Sequence, residues 1–521
     1  MNCTDGGLLL TLVYGELPSM KRFWQAMNRL VALLLAAALT IHPLAAAKPN
    51  KARIELEGQL RAHITELASD AYEGREPGTE GEAKTLRYIG KQWFDIGLQS
   101  GTNDPAHPWF APVSLIAREP DASRAFFTRK GKRLYAPTGT VLVLTSGNRG
   151  LVENAPILFV GTGAVIPPRA ELAGRVALLL DGGQDNSERQ NALIKAGASA
   201  VLTVLDGERS LENVTARRSR IGYALASDKL GGDLEAFITP EALNGVLTGA
   251  GLDLKKLQAQ AAAPDFAART LDLAVSLEAT TRETRIKTHN IIGKLPGKRP
   301  ELGAIVLMAH WDHFGRCAES PAEDQICNGA VDNASGIAVM TEVARRLVRG
   351  PQLDRDVYFV ATTAEEIGLL GAEAFAEDPP LPLGQIVAAF NIDTVALAPA
   401  GRPFAVVGKG LTPLDPHIAA YAKSAKRKLA EGDAANAYVR RQDGWALMKH
   451  DVPAVMISSS WSDLNMVERF MESDYHRPGD QLSRGLELGG AADDVEFLTG
   501  LVRWFGDAKR VPFAAKQPDR P

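Results

Sequence analysis

Cysteine is scarce: 521 residues carry only three, Cys3, Cys317 and Cys327, and no CxxC spacing occurs. A thiolate metal cluster is therefore disfavoured. No charge of one sign dominates, since 58 Lys and Arg against 62 Asp and Glu leave a net charge of −4. Nothing in that balance points to nucleic acid. The apolar run Leu30–Leu39 falls short of the ~20 residues that a membrane-spanning helix needs. No HExxH occurs, and Ser335 lacks a GxSxG frame, which removes two hydrolytic chemistries. VGTG at Val160–Gly163 lacks the third glycine and the following helix of a dinucleotide loop.

What is present is the composition of a folded protein, 45% hydrophobic and 23% charged, long enough for two domains. Lys21 and Arg22, the run Leu30–Leu39 and Ala45-Ala46-Ala47 are the three parts of a secretory signal. Residues 1–47 are thus expected to be an extension and leader, with translation starting at Met20 and cleavage after Ala47. The mature protein would be periplasmic or secreted, with no stable membrane span; an uncleaved anchor is the alternative. Cys317 and Cys327, close together in an exported chain, are expected to form a disulfide rather than stay free thiols.

Residues 48–120 read as two helices around the glycine-rich turn SDAYEGREPGTEGE, the second ending at Gly97. Residues 121–280 change character, with short strands in AFFTRKGKRLY, TVLVLTS, ENAPILFVGTGAV and GRVALLLDGG, then a helix–Gly–strand in NALIKAGASAVLTV. The segment from LGGDLEAFITPEALNG onward reads as mostly helix and loop. Together these are expected to make a smaller α/β module inserted in the main fold. Residues 281–511 alternate strands (304–308, 357–361, 386–392, 454–457) with helices (336–348, 370–375, 416–429, 493–505), and 512–521 read as a tail. The expected class is α/β, a mixed, largely parallel sheet with helices on both faces.

The chemistry-bearing residues cluster where those strands end, which is where open α/β sheets place their ligands. His310 and Asp312 follow AIVLMA, Asp332 sits in NGAVDNASG, Glu365 and Glu366 follow VYFVATTA, Asp393 follows IVAAFNI, and His476 lies in SDYHRPGD. His nitrogen and carboxylate oxygen suit zinc, and a ligating histidine usually donates its other N–H to a carboxylate, a place open to Asp312. Asp332 could bridge two metals, and of the adjacent glutamates one could ligate while the other addresses water. Singly each is weak: Asp-Asn before a helix is commonly an N-cap, and a Glu-Glu pair is commonly a solvated helix start. The ordered series carries the inference.

HWD, DNASG, AEEIGLLGA, NIDTV and YHRPGD closely resemble the co-catalytic zinc peptidases of clan MH, metallopeptidase family 28. The resemblance spans most of Thr281–Asp507 and reaches back to LASDAYEGREPGTEGEAKTLRYI. LFVGTG, GRVALLL and KAGASAVLTV resemble a protease-associated domain. The resemblance implies the zinc-aminopeptidase type of the phosphorylase/hydrolase fold and two Zn2+ per chain. His310, Asp332 and Asp393 would hold one ion, and Asp332, Glu366 and His476 the other. Glu365 would be the general base and Asp312 the partner of His310. Asp443, in RQDGWALMKHDVPAVMI, would touch the substrate, although Gln442 and Gly444 depart from the commoner residues there.

The implied activity is release of N-terminal residues from peptide substrates by metal-activated water. Within the clan, a glutaminyl cyclase with one zinc and a carboxypeptidase are the rivals. A carboxypeptidase acting on acidic dipeptides would want a basic pocket, for which no arginine patch is evident. From another class, a non-catalytic receptor on a peptidase fold should have lost ligands, whereas this chain keeps them all. Trp461, Phe470 and Met471 would line a side-chain pocket or pack the core. His313 would be a supporting contact or inert.

Overall fold

The computed structural model describes residues 51–513, except 182–186, 207–208, 229–230, 232 and 483–484. The expected leader, with Cys3, and residues 514–521 of the expected tail lie outside the described residues. The chain divides into residues 1–56, of which only the opening turns of helix α1 (Lys51–Leu67) are described, and Glu57–Pro521, which holds everything below.

In order, the second unit adds α2 (Glu80–Ile96), β1 (Phe110–Arg129), β2 (Val141–Thr145), β3 (Arg149–Phe159), β4 (Val176–Leu180), β5 (Ala200–Val204), β6 (Leu234–Ile238) and β7 (Arg269–Leu295). It continues with β8 (Ala304–His310), α3 (Ser335–Val348), β9 (Asp356–Thr362), α4 (Leu370–Glu377), β10 (Ile386–Asn391), β11 (Ala405–Val407), β12 (Ala454–Ser458), α5 (Leu464–Ser473) and α6 (Leu488–Gly506). Among the described residues no helix is long and apolar enough to cross a membrane.

The architecture is α/β, with one mixed sheet ordered β11-β12-β10-β8-β9-β7-β3-β4-β5-β6-β2. It contains two parallel cores. β9, β8, β10 and β12 run parallel at one end, and β3, β4, β5 and β6 run parallel at the other. Every residue of β8, β9, β10 and β12 is buried, as their unbroken apolar runs require of strands covered on both faces. On one face Val306, Met308 and Val360 pack with Ala372 and Phe375 of α4 and with Leu447. On the other, Phe359 meets Trp93 of α2 and Phe390 meets Phe505 of α6, at 6.2 and 5.4 Å between ring centres.

The long antiparallel strands β1 and β7 join the cores. The carboxyl end of β7 pairs with β9, and its amino end pairs with β3. The expected module boundaries at 120/121 and 280/281 fall inside these strands, facing each other at a register shift where Thr281 pairs with Pro120. Residues 127–279 carry an apolar core of their own, with Phe127, Phe159, Leu178 and Leu202 inside it.

Three elements depart from expectation. The segment expected as helix and loop opens with a strand, β6, whose five residues sit between Asp233 and Thr239-Pro240. The helix expected over 416–429 ends at Ser424, because Phe404 pairs through its backbone with Lys428 and Ala430 and draws that stretch out straight. α6 begins at Leu488, ahead of the expected 493, despite two glycines. A Cβ on Gly490 would lie 2.2 Å from the Ala398 oxygen, so close packing outweighs helix propensity there.

Candidate metal centre and active site

His310 is the last residue of β8, and Asp393 stands two residues beyond β10. Glu365 and Glu366 lie in the turn after β9, where Ala364 takes a left-handed φ of 54°. Asp332 lies in the loop before α3, and His476 follows α5 at φ 58°. That loop is tight at Gly329, where a Cβ would lie 2.1 Å from the Asp332 oxygen.

These side chains converge. Asp332 points Oδ1 at His310 Nε2 (3.1 Å) and Oδ2 at His476 Nε2 (3.4 Å). Asp393 Oδ1 lies 3.6 Å from His310 Nε2, and Glu366 Oε2 lies 2.9 Å from His476 Nε2. Glu365 Oε2 stands back at 4.0 Å from His310 Nε2. Ligating atoms of His310, Glu365 and Asp393 fall within 4.8 Å of one another, as do those of His310, Asp332 and Glu366. All five expected ligands and the expected base are therefore in one place.

The donor set fits metal ions. His310 Nδ1 faces the backbone oxygen of Asp312 at 3.2 Å, which can only accept. Its proton therefore sits on Nδ1, and the Nε2 lone pair faces the centre. The Nε2 atoms of His310 and His476 are buried without a hydrogen bond. The side chains of Asp312, Asp332, Glu365, Glu366, Asp393, Asp443 and Asp480 are all at most 10% exposed. So much buried negative charge is costly without cations to meet it.

The environment separates the carboxylates. Burial pushes Glu365 well above the usual range, His310 opposes this, and the charges of Asp393 and Asp443 add to it. Burial acts the same way on Asp332, but contacts to His310 and His476 outweigh it and hold that group low. One carboxyl is thus suited to carrying a proton and the other to staying ionised. Burial also raises Asp312 to about 7 and Asp443 to about 6.

Asp312 differs in part from expectation. Its carboxylate stands 3.8 Å from His310 Nδ1, beyond hydrogen-bond reach, and accepts instead from the backbone N–H groups of Glu365 (3.1 Å) and Glu366 (3.4 Å). Asp443 is fully buried; it accepts from the Thr362 hydroxyl and leaves Oδ1 unpartnered. Cys317 and Cys327 are bonded, Cα atoms 5.7 Å apart, in the loop between Asp312 and Asp332. Trp461 and Met471 line a cleft beside Asp393, whereas Phe470 is buried.

Three further residues support the centre, of which Asp480 and Arg75 were not expected from the sequence and His313 takes the supporting place left open for it. Asp480, four residues past His476, accepts from the backbone N–H groups of Val331 (2.9 Å) and Asp332 (3.0 Å). Arg75, buried in the glycine-rich turn, donates to the carbonyls of Leu67, Trp311, Asn328 and Gly329. His313 donates from Nδ1 to Glu366 and holds that ligand in place. The family-like segment around Arg75 and the aspartate closing SDYHRPGD were the available signals.

Residues 290–493 match peptidase family M28. The alkaline phosphatase isozyme conversion protein of Escherichia coli K12 is 37% identical over 103 residues, 18% of this chain and 29% of that protein. Aminopeptidase YwaD of Bacillus subtilis strain 168 is 28% identical over 243 residues, 46% of this chain and 44% of that protein. The match thus spans less than half the length of each of these relatives. Among solved structures, an aminopeptidase from Aneurinibacillus sp. strain AM-1 superposes with a TM-score of 0.51 over 89% of this chain and 97% of that one. At 18% identity that likeness concerns the fold. The matched segment, less than half of this chain, contains every converging side chain described above, so the similarity to peptidase family M28 covers the whole candidate centre.

Proposed function

We propose that this chain is an exported dinuclear zinc aminopeptidase that releases N-terminal residues from peptides. The observation that carries the reading is the Asp332 carboxylate, each of whose two oxygens faces a different histidine nitrogen. His310 and Asp393 with one of those oxygens would hold one ion, and His476 and Glu366 with the other would hold the second. Zinc bound there supplies Lewis acidity and lowers the pKa of water. Glu365, drawn back from the ligands and raised by burial, takes the proton of the attacking water and returns it to the leaving amine. Asp312 fixes the turn that carries Glu365, and Asp480 and His313 orient Asp332 and Glu366. We read residues 121–280 as a protease-associated module, a reading supported by their separate core.

The test is metal content together with a panel of free and N-blocked peptides on protein beginning at Lys48. Two zincs per chain and cleavage only of free N-termini are expected. One zinc with cyclisation of N-terminal glutamine would instead favour a cyclase, and no metal with no cleavage would end the enzyme reading.

A further inference from the structure

Beside Asp393 opens a narrow cleft, with about 10 Å3 of room for a water-sized sphere, walled by Tyr438, Trp461, Met471 and Tyr475, with the exposed Arg441 at its edge. Among the described residues lining it there is one cation, Arg441. This side chain is held by rings: its guanidinium carbon lies 5.8 Å from the centre of Tyr438 and 5.9 Å from that of Tyr475. Nη2 also reaches the Tyr475 hydroxyl at 3.4 Å. Tyr475 in turn stacks on His476, ring centres 3.6 Å apart.

No carboxylate among the described residues pairs with Arg441, whereas Arg209 pairs with Asp181 and Arg346 with Glu342. A guanidinium oriented by two aromatic faces keeps a rigid fork of donors suited to a carboxylate. The neighbouring backbone is also set: Arg441 N–H donates to the Tyr438 oxygen, and the Gln442 side chain closes onto Val439 and Gly444. A substrate carboxylate seated at the mouth of this cleft would find in Arg441 the one cation among its described lining residues, so that group would set the preference for such a substrate.

We infer that Arg441 is a specificity-determining residue that binds a carboxylate of the substrate, either the side chain of an acidic first residue or the terminus of a short peptide. This rests on the aminopeptidase reading. The experiment compares kcat/KM of the wild type, Arg441→Ala, Arg441→Lys and Arg441→Glu on four probes: glutamyl and leucyl p-nitroanilides, Leu-Gly, and Leu-Gly amide. Arg441→Ala is expected to lower kcat/KM for a carboxylate-bearing probe about 10- to 100-fold more than for its uncharged counterpart. Arg441→Lys should restore part of the difference, and Arg441→Glu should shift preference further away from the glutamyl toward the leucyl p-nitroanilide.

A selective loss on the glutamyl anilide identifies the side chain as the ligand, and a selective loss on Leu-Gly identifies the terminus. Equal loss on all probes, or none, overturns the inference while leaving the aminopeptidase reading intact. Wild type that cleaves no probe removes both.

Discussion

The two parallel cores of this sheet are built alike and used differently. Each has four parallel strands, and within the sheet the two are joined through the β1–β7 ribbon. At the strand ends they part. After β8, β9 and β10 come His310, Glu365, Glu366 and Asp393, buried and pointed at one another. After β4 and β5 come Asp181 and Asp206, but Arg209 answers both: its side chain donates to Asp181 at 2.9 Å and its backbone N–H to Asp206 at 3.1 Å. After β6, Thr239 accepts from the N–H of Ala242 and caps the next helix. Topology offers ligand positions in both cores, and only uncompensated donors turn them into a site.

Several substitutions would break or sharpen that contrast. The largest effect belongs to Glu365→Gln, which should lower kcat by about 10²- to 10⁴-fold while metal content stays at the wild-type level; metal analysis beside steady-state kinetics checks both. Next, Leu307→Ala in one core and Leu178→Ala in the other, both fully buried, should each cost about 2–5 kcal/mol in urea unfolding, because packing treats the cores equally. Asp480→Asn, which weakens the hold on the Asp332 backbone, should reduce metal affinity about 10- to 100-fold in a chelator competition.

A smaller, pH-dependent effect is expected at Glu342. Burial raises this carboxyl, but His63, Arg345 and Arg346 outweigh that and bring it down to about 2. A depressed folded pKa means stability that is present above the ordinary value of 4.5 and lost as pH falls toward about 2. Glu342→Gln should flatten thermal stability across that window. Least of all, Asp181→Asn should leave metal content and kcat/KM within about twofold, since its partner Arg209 belongs to the other core and neither touches the converging carboxylates. A large change there would erase the distinction between the cores.

The sequence made the ligand set legible because strand-end residues follow unbroken apolar runs, so AIVLMAH and IVAAFNID announce both the strand and its cargo. Helical spacing of apolar residues identified α2 and α3, and two cysteines close together in a chain expected to be exported identified the disulfide pair. Arg75 was not legible: an arginine among glycines reads as exposed, and only the fold turns its donors onto four carbonyls. Asp480 and His313 act through a neighbouring ligand, a relation that spacing does not encode. The length of β1 and β7 was hidden for another reason. Charged residues such as Arg118, Glu119, Arg282 and Glu283 interrupt the apolar pattern in mid-strand, where they pair across the ribbon instead of facing a core.

That ribbon brings the two ends of the segment between residues 120 and 281 side by side. Arg118 lies opposite Glu283 and Glu119 opposite Arg282, so chain enters and leaves the module at adjacent points. A shortened gene that joins these strand stubs through a two-residue Asn-Gly turn would close them as an ordinary hairpin. β8–β12 would keep their hydrogen-bonding order, and a grafted segment would have to replace Leu225, which packs with Ala364 and Leu370 beside the turn that carries Glu365.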